Sequence, residues 1–337
     1  MKQLSIIGLS GSGKTCYTYA MAKTMIRGYN GINAIAIKDN VREQLNIGWK
    51  TISRSLTWPD GSDQTLRREF DCSLNLKSIM DFCWDDFKGG ELTSLNEVAE
   101  KFRSEFNSYL RNSDGLILFV PADAYLDIIE DQEDSALLYD DLDILNSLFM
   151  ANHDILSRIP VTIVITKADL LDDNSKKYVI DFIKDLFQPL FVKGNNMKVL
   201  VVPVSLGVGL GRGKQGESVQ GQVYADPKKG NIHIPIVFNL YHFLKDCIAV
   251  ERARLGEIGK DVESRLNDLR TAERHNGLKR WWVGEDLNEL KQDLKDSEKD
   301  KKNKLAEIRE LEANLDKVVT LFTEDCQYFI NGNQASF

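Results

Sequence analysis

The sequence predicts an α/β domain with a mostly parallel sheet, followed by an antiparallel α-helical coiled-coil hairpin. Up to about residue 245, short apolar runs of strand length alternate with helical patterns. This alternation is typical of a parallel sheet covered on both faces by helices. Beyond that point the strand patterns stop, charged residues become dense, and apolar residues recur every seven positions, as in a coiled coil. We therefore expect an α/β domain at 1–245, a hairpin at 246–330 and a tail at 331–337.

Six apolar runs are candidate strands, and helical patterns separate most of them. They are residues 4–7, 34–37, 74–84, 116–120, 161–165 and 199–204. In an open α/β sheet, ligands bind outside the carboxyl ends of the strands. The segments that directly follow these runs are therefore the expected location of a functional site.

The segment after the first strand contains a complete G-x-x-x-x-G-K-T motif at residues 8–15. It lies between an apolar strand and a helical pattern, which is the context that a phosphate-binding loop requires. Glycines let backbone N–H groups close around phosphates, and the helix N-terminus adds partial positive charge. We expect Lys14 to reach the β- and γ-phosphate oxygens and the Thr15 hydroxyl to coordinate Mg²⁺. The predicted nucleotide-binding residues of this segment are Gly8, Ser10, Gly11, Ser12, Gly13, Lys14, Thr15 and Cys16.

The fifth strand candidate leads into Thr166, Lys167, Ala168 and Asp169, a T-K-x-D pattern that indicates guanine recognition. An aspartate carboxylate can accept hydrogen bonds from the N1–H and the exocyclic amine of guanine, whereas adenine has no such donor pair. The lysine stem would lie along the face of the base. After the sixth strand candidate, a backbone N–H near Ser205 and Leu206 would meet guanine O6, although Ser205 alone also fits an ordinary strand end. The expected ligands are GTP and GDP.

A D-x-x-G pattern, Asp86 to Gly89, follows the strand that contains residues 80–84. In a GTPase the aspartate holds Mg²⁺ through water and the glycine amide contacts the γ-phosphate. Asp81 and Asp85 are neighbouring candidates, but only Asp86 has glycine three residues later. We therefore predict catalytic roles for Lys14, Asp86 and Gly89. Gly90 stands where many such enzymes have a glutamine that positions water, so we expect slow hydrolysis by the chain alone.

A second Mg²⁺ ligand is expected among hydroxyl groups between residues 46 and 69. Ser62 and Thr65 follow a turn signal at 58–61, so they are better placed than Thr51 and Thr57. The sequence leaves the choice between these two open. Three arginines in or near this segment are surface charges in the simplest interpretation, and a catalytic arginine in cis is the alternative. They are Arg54, Arg67 and Arg68.

Together, these motifs occur in the order found in the translation-factor-like (TRAFAC, Ras-like) class of P-loop GTPases. Residues 58–61 and 84–90 resemble the W-P-x-G-T and D-Y-x-G-G/E segments of bacterial GTPases linked to conflict and signalling systems, and residues 231–235 resemble that group too. The resemblance covers about residues 1–245. It implies a Ras-like α/β fold, GTP and Mg²⁺, but no particular partner. Ser62 stands where that family has threonine.

Composition agrees with an intracellular protein. The formal net charge of −8 disfavours binding to a nucleic-acid backbone. The sequence has no run of 18 uncharged apolar residues, so no membrane span is expected. The first strand is expected to begin too early to leave room for a signal peptide. The five scattered cysteines favour reduced thiols. We expect a cytoplasmic protein that contacts neither nucleic acid nor membrane.

Two polar segments interrupt the α/β pattern. Residues 121–143 hold nine acidic residues and no lysine or arginine; a solvated acidic helix is favoured over a docking face for a basic partner. Residues 207–230 are rich in glycine and are expected to form a mobile loop near the base.

The heptad pattern continues on both sides of a break at residues 274–277. One series is Ile248, Leu255, Val262 and Leu269, and the other is Leu287, Leu294, Ile308, Leu315 and Phe322. Asn276-Gly277 is a turn signal, so the two helices are predicted to form a hairpin. Beyond the break, Trp281 and Trp282 fit three interpretations: a cap on the hairpin core, a protein-docking anchor and a membrane-interface contact.

These patterns predict a GTP-binding switch that turns over slowly alone and is activated by a partner or by self-association through the hairpin. The alternative is a nucleotide-stabilised coiled-coil assembly module with little turnover. An ATP-dependent kinase is disfavoured by the T-K-x-D pattern. The partner, the pathway and the oligomeric state do not follow from the sequence.

Overall fold

The computed structural model describes residues 1–9, 11–59, 66–86, 104, 106–129, 135–213, 216–274 and 284–337. The side chains of residues 86, 127–129, 135–141, 274 and 284–287 lie outside that description. The chain divides into two compact units. The first contains Met1–Asn239 and Leu321–Phe337, and the second contains Leu240–Thr320.

A nine-stranded sheet forms the centre of the first unit, in the order β11-β10-β7-β6-β5-β1-β4-β3-β2. The middle five strands, from β7 to β4, are mutually parallel, and antiparallel strands extend the sheet at both edges. The strands are β1 Lys2–Gly8, β2 Ile32–Ala36, β3 Leu66–Leu74, β4 Lys77–Asp86, β5 Gly115–Pro121, β6 Pro160–Thr166, β7 Lys198–Pro203, β10 Gln327–Ile330 and β11 Asn333–Ala335. A separate antiparallel pair consists of β8 Gly207–Val208 and β9 Gln222–Val223.

Helices connect the parallel strands, and a further helical stretch at 106–111 precedes β5. The helices of the first unit are α1 Lys14–Arg27, α2 Asp39–Ser53, α3 Ala122–Ile129, α4 Ser135–Ala151, α5 His153–Leu156, α6 Asp173–Leu186, α7 Gln188–Phe191 and α8 Pro227–Gly230. Two long helices follow, α9 Ile234–Arg274 and α10 Gly284–Val319.

The predicted parallel strands are continuous apolar runs because both faces of the sheet are covered. Every residue of β5 and β6 is buried, as expected for strands in the middle of an α/β sheet. A large core cluster joins the strands to the helices on one face, with Leu118, Ile163 and Ile183 among its fully buried members. The predicted α/β class and mostly parallel centre are confirmed.

The single strand predicted over residues 74–84 is wrong. The chain forms two antiparallel strands here, β3 and β4, joined by a turn at Asn75 and Leu76. Both turn residues have positive φ, 51° and 67°, and Leu76 is 90% exposed. The sequence pattern did not indicate this turn, because Leu76 is apolar and a tight turn normally carries glycine or asparagine at such positions.

After the second unit, the chain adds two strands to the sheet of the first unit. β10 pairs antiparallel with β7, and β11 pairs with β10, so residues 331–337 form part of the first unit rather than a tail. The unit boundary also lies at residues 239/240, earlier than the predicted 245/246. A four-residue strand lacks a long periodic signal, and only its pairing with β7 identifies it.

Within the second unit, α10 packs antiparallel to α9. Arg252 lies 2.5 Å from Glu312, and Arg265 lies 3.1 Å from Asp293, so residues late in one helix face residues early in the other. Leu269 and Ile308, two predicted heptad positions, are buried. Phe322, the last position of the predicted repeat, lies beyond the end of α10 and belongs to the first unit.

The second heptad series skips the position between Leu294 and Ile308, where the sequence has Lys301, and charged groups connect the two helices in this region. The Lys304 ammonium lies 2.8 Å from Glu251 across the two helices, and this interaction lowers the pKa of Glu251 and raises that of Lys304. The Ser297 hydroxyl donates to Asp261. Residues 275–283, which include Trp281 and Trp282, lie outside the described part of the chain. No helix among the described residues is long and apolar enough to cross a membrane.

Candidate functional site

The phosphate-loop motif lies between β1 and α1, as predicted. Gly13 directly precedes α1 and has a φ of 83°, in the left-handed region that favours glycine. Gly8 lies against β5, where an added Cβ would approach Phe119 O to 2.6 Å. These two glycines let the loop turn sharply and approach the neighbouring strand closely. Ser10 lies outside the described residues.

Lys14 is held beside the loop by the loop's own oxygens. Its ammonium donates to Gly8 O at 2.8 Å and to Leu9 O at 3.1 Å, and it lies 3.4 Å from Ser12 Oγ. Thr15 and Cys16 follow in the first turn of α1 and are half-buried. Burial raises the pKa of the Cys16 thiol to about 12, and the nearby Lys167 charge opposes this shift. Cys16 is therefore a neutral thiol at physiological pH.

Thr166, at the end of β6, connects the T-K-x-D motif to the phosphate loop. Its hydroxyl donates to Ser12 O at 2.8 Å, and both residues are buried. The methyl and hydroxyl groups of Thr166 lie 3.6–3.7 Å from the position of a Cβ on Gly13. The structure thus brings together two motifs separated by about 150 residues of sequence, in agreement with the expected convergence of parallel strand ends.

Lys167 forms an ion pair that the sequence analysis missed. Its backbone is left-handed, with φ 55°, and its ammonium lies 2.5 Å from Asp123. Asp123 is at the start of α3, directly after β5. It is one of nine acidic residues in the segment at 121–143, and nothing in the sequence distinguishes its charge from the other eight. Its position two residues after a parallel strand was the only available signal.

Asp169 lies in a short 3-10 turn, Ala168–Leu170, and both of its carboxylate oxygens contact the segment after β7. The amide of Leu210 donates to Oδ2 at 3.0 Å, and the Ser205 hydroxyl lies 3.4 Å from Oδ1. Burial raises the pKa of Asp169, while these hydrogen bonds act in the opposite direction. Ser205 is buried and also interacts with Gly207, whereas Leu206 is half-buried.

The glycine-rich segment expected to be a mobile loop is packed against the site. Leu210 and Val219 are buried and form a small apolar cluster with Ile52 of α2. Cys16 and Trp58 pack against the same cluster. Glycine content alone suggested mobility, but the apolar residues between the glycines attach the segment to α1 and α2.

The predicted D-x-x-G motif lies at the edge of the described chain. Asp86 ends β4 and pairs in register with Ile6 of β1, next to the phosphate loop; Gly89 and Gly90 lie outside the described residues. The neighbouring Asp85 is buried and accepts a long contact from the Cys83 thiol at 3.4 Å. Its second oxygen lies 3.9 Å from Arg67. This placement does not overturn the preference for Asp86.

Both favoured candidates for the second Mg²⁺ ligand, Ser62 and Thr65, lie outside the described residues. Thr51, a weaker candidate, is in α2 and donates to Ile47 O, so the expected loop at 46–69 is partly helical. Among the described residues, no cluster of three or more histidine, cysteine or acidic side chains is arranged to hold a metal. Thr15 lies in the first turn of α1, and Asp86 ends β4, which pairs with β1. Hydroxyl and carboxylate oxygens are ligands that suit Mg²⁺.

The three candidate arginines have different environments. Arg54 and Arg67 are exposed, whereas Arg68 is 8% exposed. Arg67 and Arg68 lie on β3, opposite Asp85 and Trp84 of β4. Arg67 therefore has a nearby carboxylate, which favours a structural ion pair over a catalytic role.

Residues 231–235 contact α1 and the end of β7, two of the elements that position the site. The Tyr17 hydroxyl donates to Ile232 O at 2.8 Å, which connects α1 to this segment. Asn231, with a φ of 53°, donates to Pro203 O at the end of β7. The buried His233 ring contacts Leu321 O through Nε2 at 3.1 Å. The sequence resemblance in this segment thus coincides with a packing role.

A phosphate loop between the first strand and the first helix, tied by Thr166 to a T-K-x-D motif, defines a P-loop protein of the Ras-like GTPase class. A family model described as Double-GTPase 1 matches residues 5–175, a little more than half of the chain. The chain belongs to this Double-GTPase 1 family. No curated protein matches the sequence.

Two solved structures show a distant similarity to this chain. One is described as an oligomerised bacterial dynamin pair that senses and tethers membranes; it has 18% identity and a TM-score of 0.42 over 93% of this chain. This chain spans only 48% of that protein. The other is the GDP complex of an ADP-ribosylation-factor-like GTP-binding protein, the small COPII coat GTPase Sar1, from Encephalitozoon cuniculi. It has 10% identity and a TM-score of 0.34, covering 73% of this chain and 83% of that one.

Proposed function

We propose that this GTPase is a guanine-nucleotide switch that binds GTP and GDP with Mg²⁺ and hydrolyses GTP to GDP. The observation that carries the proposal is the hydrogen bond from Thr166 to Ser12 O. It supports a single binding site in which a phosphate loop and a base-reading motif face the same ligand. Family membership supports GTP as that ligand.

Each residue of the proposed site has a separate role. Backbone N–H groups at Gly11, Ser12 and Gly13 would surround the phosphates, and Lys14 would contact the β- and γ-phosphate oxygens. Thr15 and Asp86 would hold Mg²⁺, directly and through water, respectively. Mg²⁺ supplies neutralisation of the charge that develops on the phosphate oxygens. Gly89, together with Ser62 or Thr65, would complete the site from outside the described residues.

Base selectivity tests the proposal most directly. We expect the chain to bind GTP and GDP but not ATP, because Asp169 accepts two donors that only guanine presents. Asp169→Asn should weaken GTP binding and permit xanthosine triphosphate to bind, since its C2 carbonyl matches the amide. Titration with each nucleotide in Mg²⁺ measures both effects. Equal affinity of the native chain for ATP and GTP would contradict the proposal.

Turnover is proposed to be slow in the isolated chain. Gly90 occupies the position where related enzymes often have a catalytic glutamine, and an activating partner in such switches raises the rate by several decades. Single-turnover hydrolysis at increasing protein concentration distinguishes the two forms of the proposal. A rise with concentration supports activation by self-association, whereas a uniformly negligible rate supports the nucleotide-stabilised assembly module. Fast turnover at nanomolar protein would contradict both.

The antiparallel pair α9–α10 is proposed to mediate interaction with a protein partner or a second copy of the chain. Cross-helix ion pairs, including Lys304 with Glu251 at 2.8 Å, support a stable pair of helices with a largely charged exterior. Such an exterior favours reversible contacts over a permanent apolar interface.

A further inference from the structure

A strap of residues 206–213 and 216–223 covers the carboxylate proposed to read guanine. The Leu210 amide donates to Asp169 Oδ2 at 3.0 Å, and Leu210 is only 4% exposed. The Leu210 amide already fills one acceptor position of that oxygen. A base that donates to both carboxylate oxygens of Asp169 therefore competes with Leu210 for Oδ2.

The same strap is paired with residues 54–59, which follow α2. Val219 N donates to Leu56 O at 2.7 Å, Trp58 N donates to Glu217 O at 3.0 Å, and Gly216 N donates to Trp58 O at 3.1 Å. Thr57 and Ser218 form an antiparallel bridge. These contacts hold residues 54–59 against the strap in the arrangement in which Leu210 occupies Asp169. Residues 54–59 lead directly to the predicted Mg²⁺ hydroxyls, Ser62 and Thr65.

Side chains attach the strap at two further points. Leu210 and Val219 pack against Ile52 of α2, next to Cys16 of α1. Trp58 lies against the strap backbone so closely that a Cβ on Gly213 would stand 1.8 Å from its indole Nε1. Gly213 has no positive φ among the described backbone angles, so the indole alone demands glycine at this position.

We propose that the strap is an autoinhibitory element: it occupies Asp169 in the closed arrangement and couples release of that carboxylate to movement of residues 54–59. Guanine binding then requires the strap to leave, and its departure frees the segment that leads to the Mg²⁺ hydroxyls. This inference rests on the proposed guanine-nucleotide site. A closed population lowers the apparent affinity by the fraction of molecules that are open.

The first test weakens the closed arrangement. Gly213→Ala places a methyl group against the Trp58 indole, so it should raise the association rate of a fluorescent GDP analogue by about tenfold, through a larger open fraction. Val208→Ala is the matched control, because Val208 is on the same strap but its side chain is 62% exposed. It should leave the rate unchanged. Equal rates in both variants and the native chain would overturn the proposal.

The second test locks the strap. Thr57 and Ser218 occupy a non-hydrogen-bonded antiparallel pair, where the Cα atoms stand at a distance suited to a disulfide. Thr57→Cys with Ser218→Cys, once oxidised, should slow association by about tenfold or more, and a reductant should restore it. The native chain with and without reductant controls for the five native cysteines. Unchanged association in the oxidised variant contradicts the proposal.

Hydrogen exchange gives a readout that does not depend on rates. GDP should increase exchange in peptides that cover residues 206–213, because the Leu210 amide loses its acceptor, while exchange at residues 11–15 decreases. If nucleotide protects both regions, the strap is part of the bound site and the proposal fails, although the proposed function stands. If no variant binds any guanine nucleotide in Mg²⁺, the proposed function itself fails.

Discussion

At the scale of single residues, hydroxyl and imidazole groups connect parts of the molecule that are far apart in sequence. Thr166 donates to Ser12 O, Tyr17 donates to Ile232 O, and His233 contacts Leu321 O. In each case a buried side chain contacts a backbone carbonyl. Leaving a buried carbonyl without a partner costs about 1–3 kcal/mol. These contacts hold the phosphate loop, α1 and the last segment of the chain in place.

Thr166→Val should lower the free energy of unfolding by about 1–3 kcal/mol, because it leaves a buried carbonyl unsatisfied, and should weaken nucleotide binding. Thr162→Val is a matched control on the same strand. The Thr162 hydroxyl is buried without a hydrogen-bond partner, so its removal should be neutral or stabilising. Denaturant unfolding and nucleotide titration measure both effects. Equal losses in the two variants would exclude a special role for Thr166.

Acid should destabilise the first unit through His233. Burial lowers the pKa of His233 from 6.5 to about 4. Between these values the unfolded state binds a proton that the folded state does not, so stability falls as the pH decreases from 6.5 to 4. The full effect is about 3 kcal/mol.

His233→Gln retains a side-chain N–H donor for Leu321 O and should flatten the pH dependence of unfolding in that window. His153→Gln is the control, because that side chain is 43% exposed. Unfolding free energies measured at several pH values compare the slopes. An unchanged slope in His233→Gln would mean that other groups cause the acid sensitivity.

At the scale of elements, the side of the sheet formed by β10 and β11 is the least expected part of the fold. Phe329 is buried in the main core cluster and packs edge-to-face on Phe191 at 5.1 Å between ring centroids. Beside it, Tyr328 stacks on Phe337 at 4.8 Å. Residues 327–337 thus contribute aromatic side chains to the first unit as well as two strands.

Phe329→Ala should destabilise the first unit by about 3–5 kcal/mol, because it removes a large buried ring and leaves a cavity. Ile330→Ala, one residue later on the same strand, should change stability by less than about 1 kcal/mol, since Ile330 is 38% exposed. Thermal and denaturant unfolding test the difference. Similar small effects would show that β10 contributes little to the core.

At the scale of the whole molecule, the first unit is discontinuous in sequence. Residues 240–320 are inserted between two segments that meet closely, because the Phe238 and Phe322 rings lie 6.4 Å apart between centroids. Joining Asn239 to Leu321 therefore requires only a short flexible linker. This arrangement separates the proposed interaction element from the proposed nucleotide site along the chain.

A chain in which a short glycine–serine linker replaces residues 240–320 should fold and retain guanine-nucleotide affinity, while losing any concentration-dependent hydrolysis. A chain that ends at Asn239 is the comparison. It lacks β10 and β11 and should be markedly less stable. Circular dichroism, nucleotide titration and turnover measure these properties. If the linked chain keeps concentration-dependent turnover, the helical pair is not the interaction element.

The sequence by itself determined the α/β class, the parallel strands β1, β5, β6 and β7, the heptad-patterned helices, and the positions of the phosphate loop and the T-K-x-D motif. These follow from local patterns: continuous apolar runs, a complete glycine-rich string and heptad spacing. The hairpin turn at Asn75 and Leu76, the strands β10 and β11 and the ion pair of Lys167 with Asp123 were decided only by the tertiary structure. Each depends on a partner distant in sequence or on a turn residue of atypical type. The position of the strap on Asp169 was also decided only by the tertiary structure. Its glycines indicated a mobile loop, whereas its few apolar residues pack against side chains of α1 and α2.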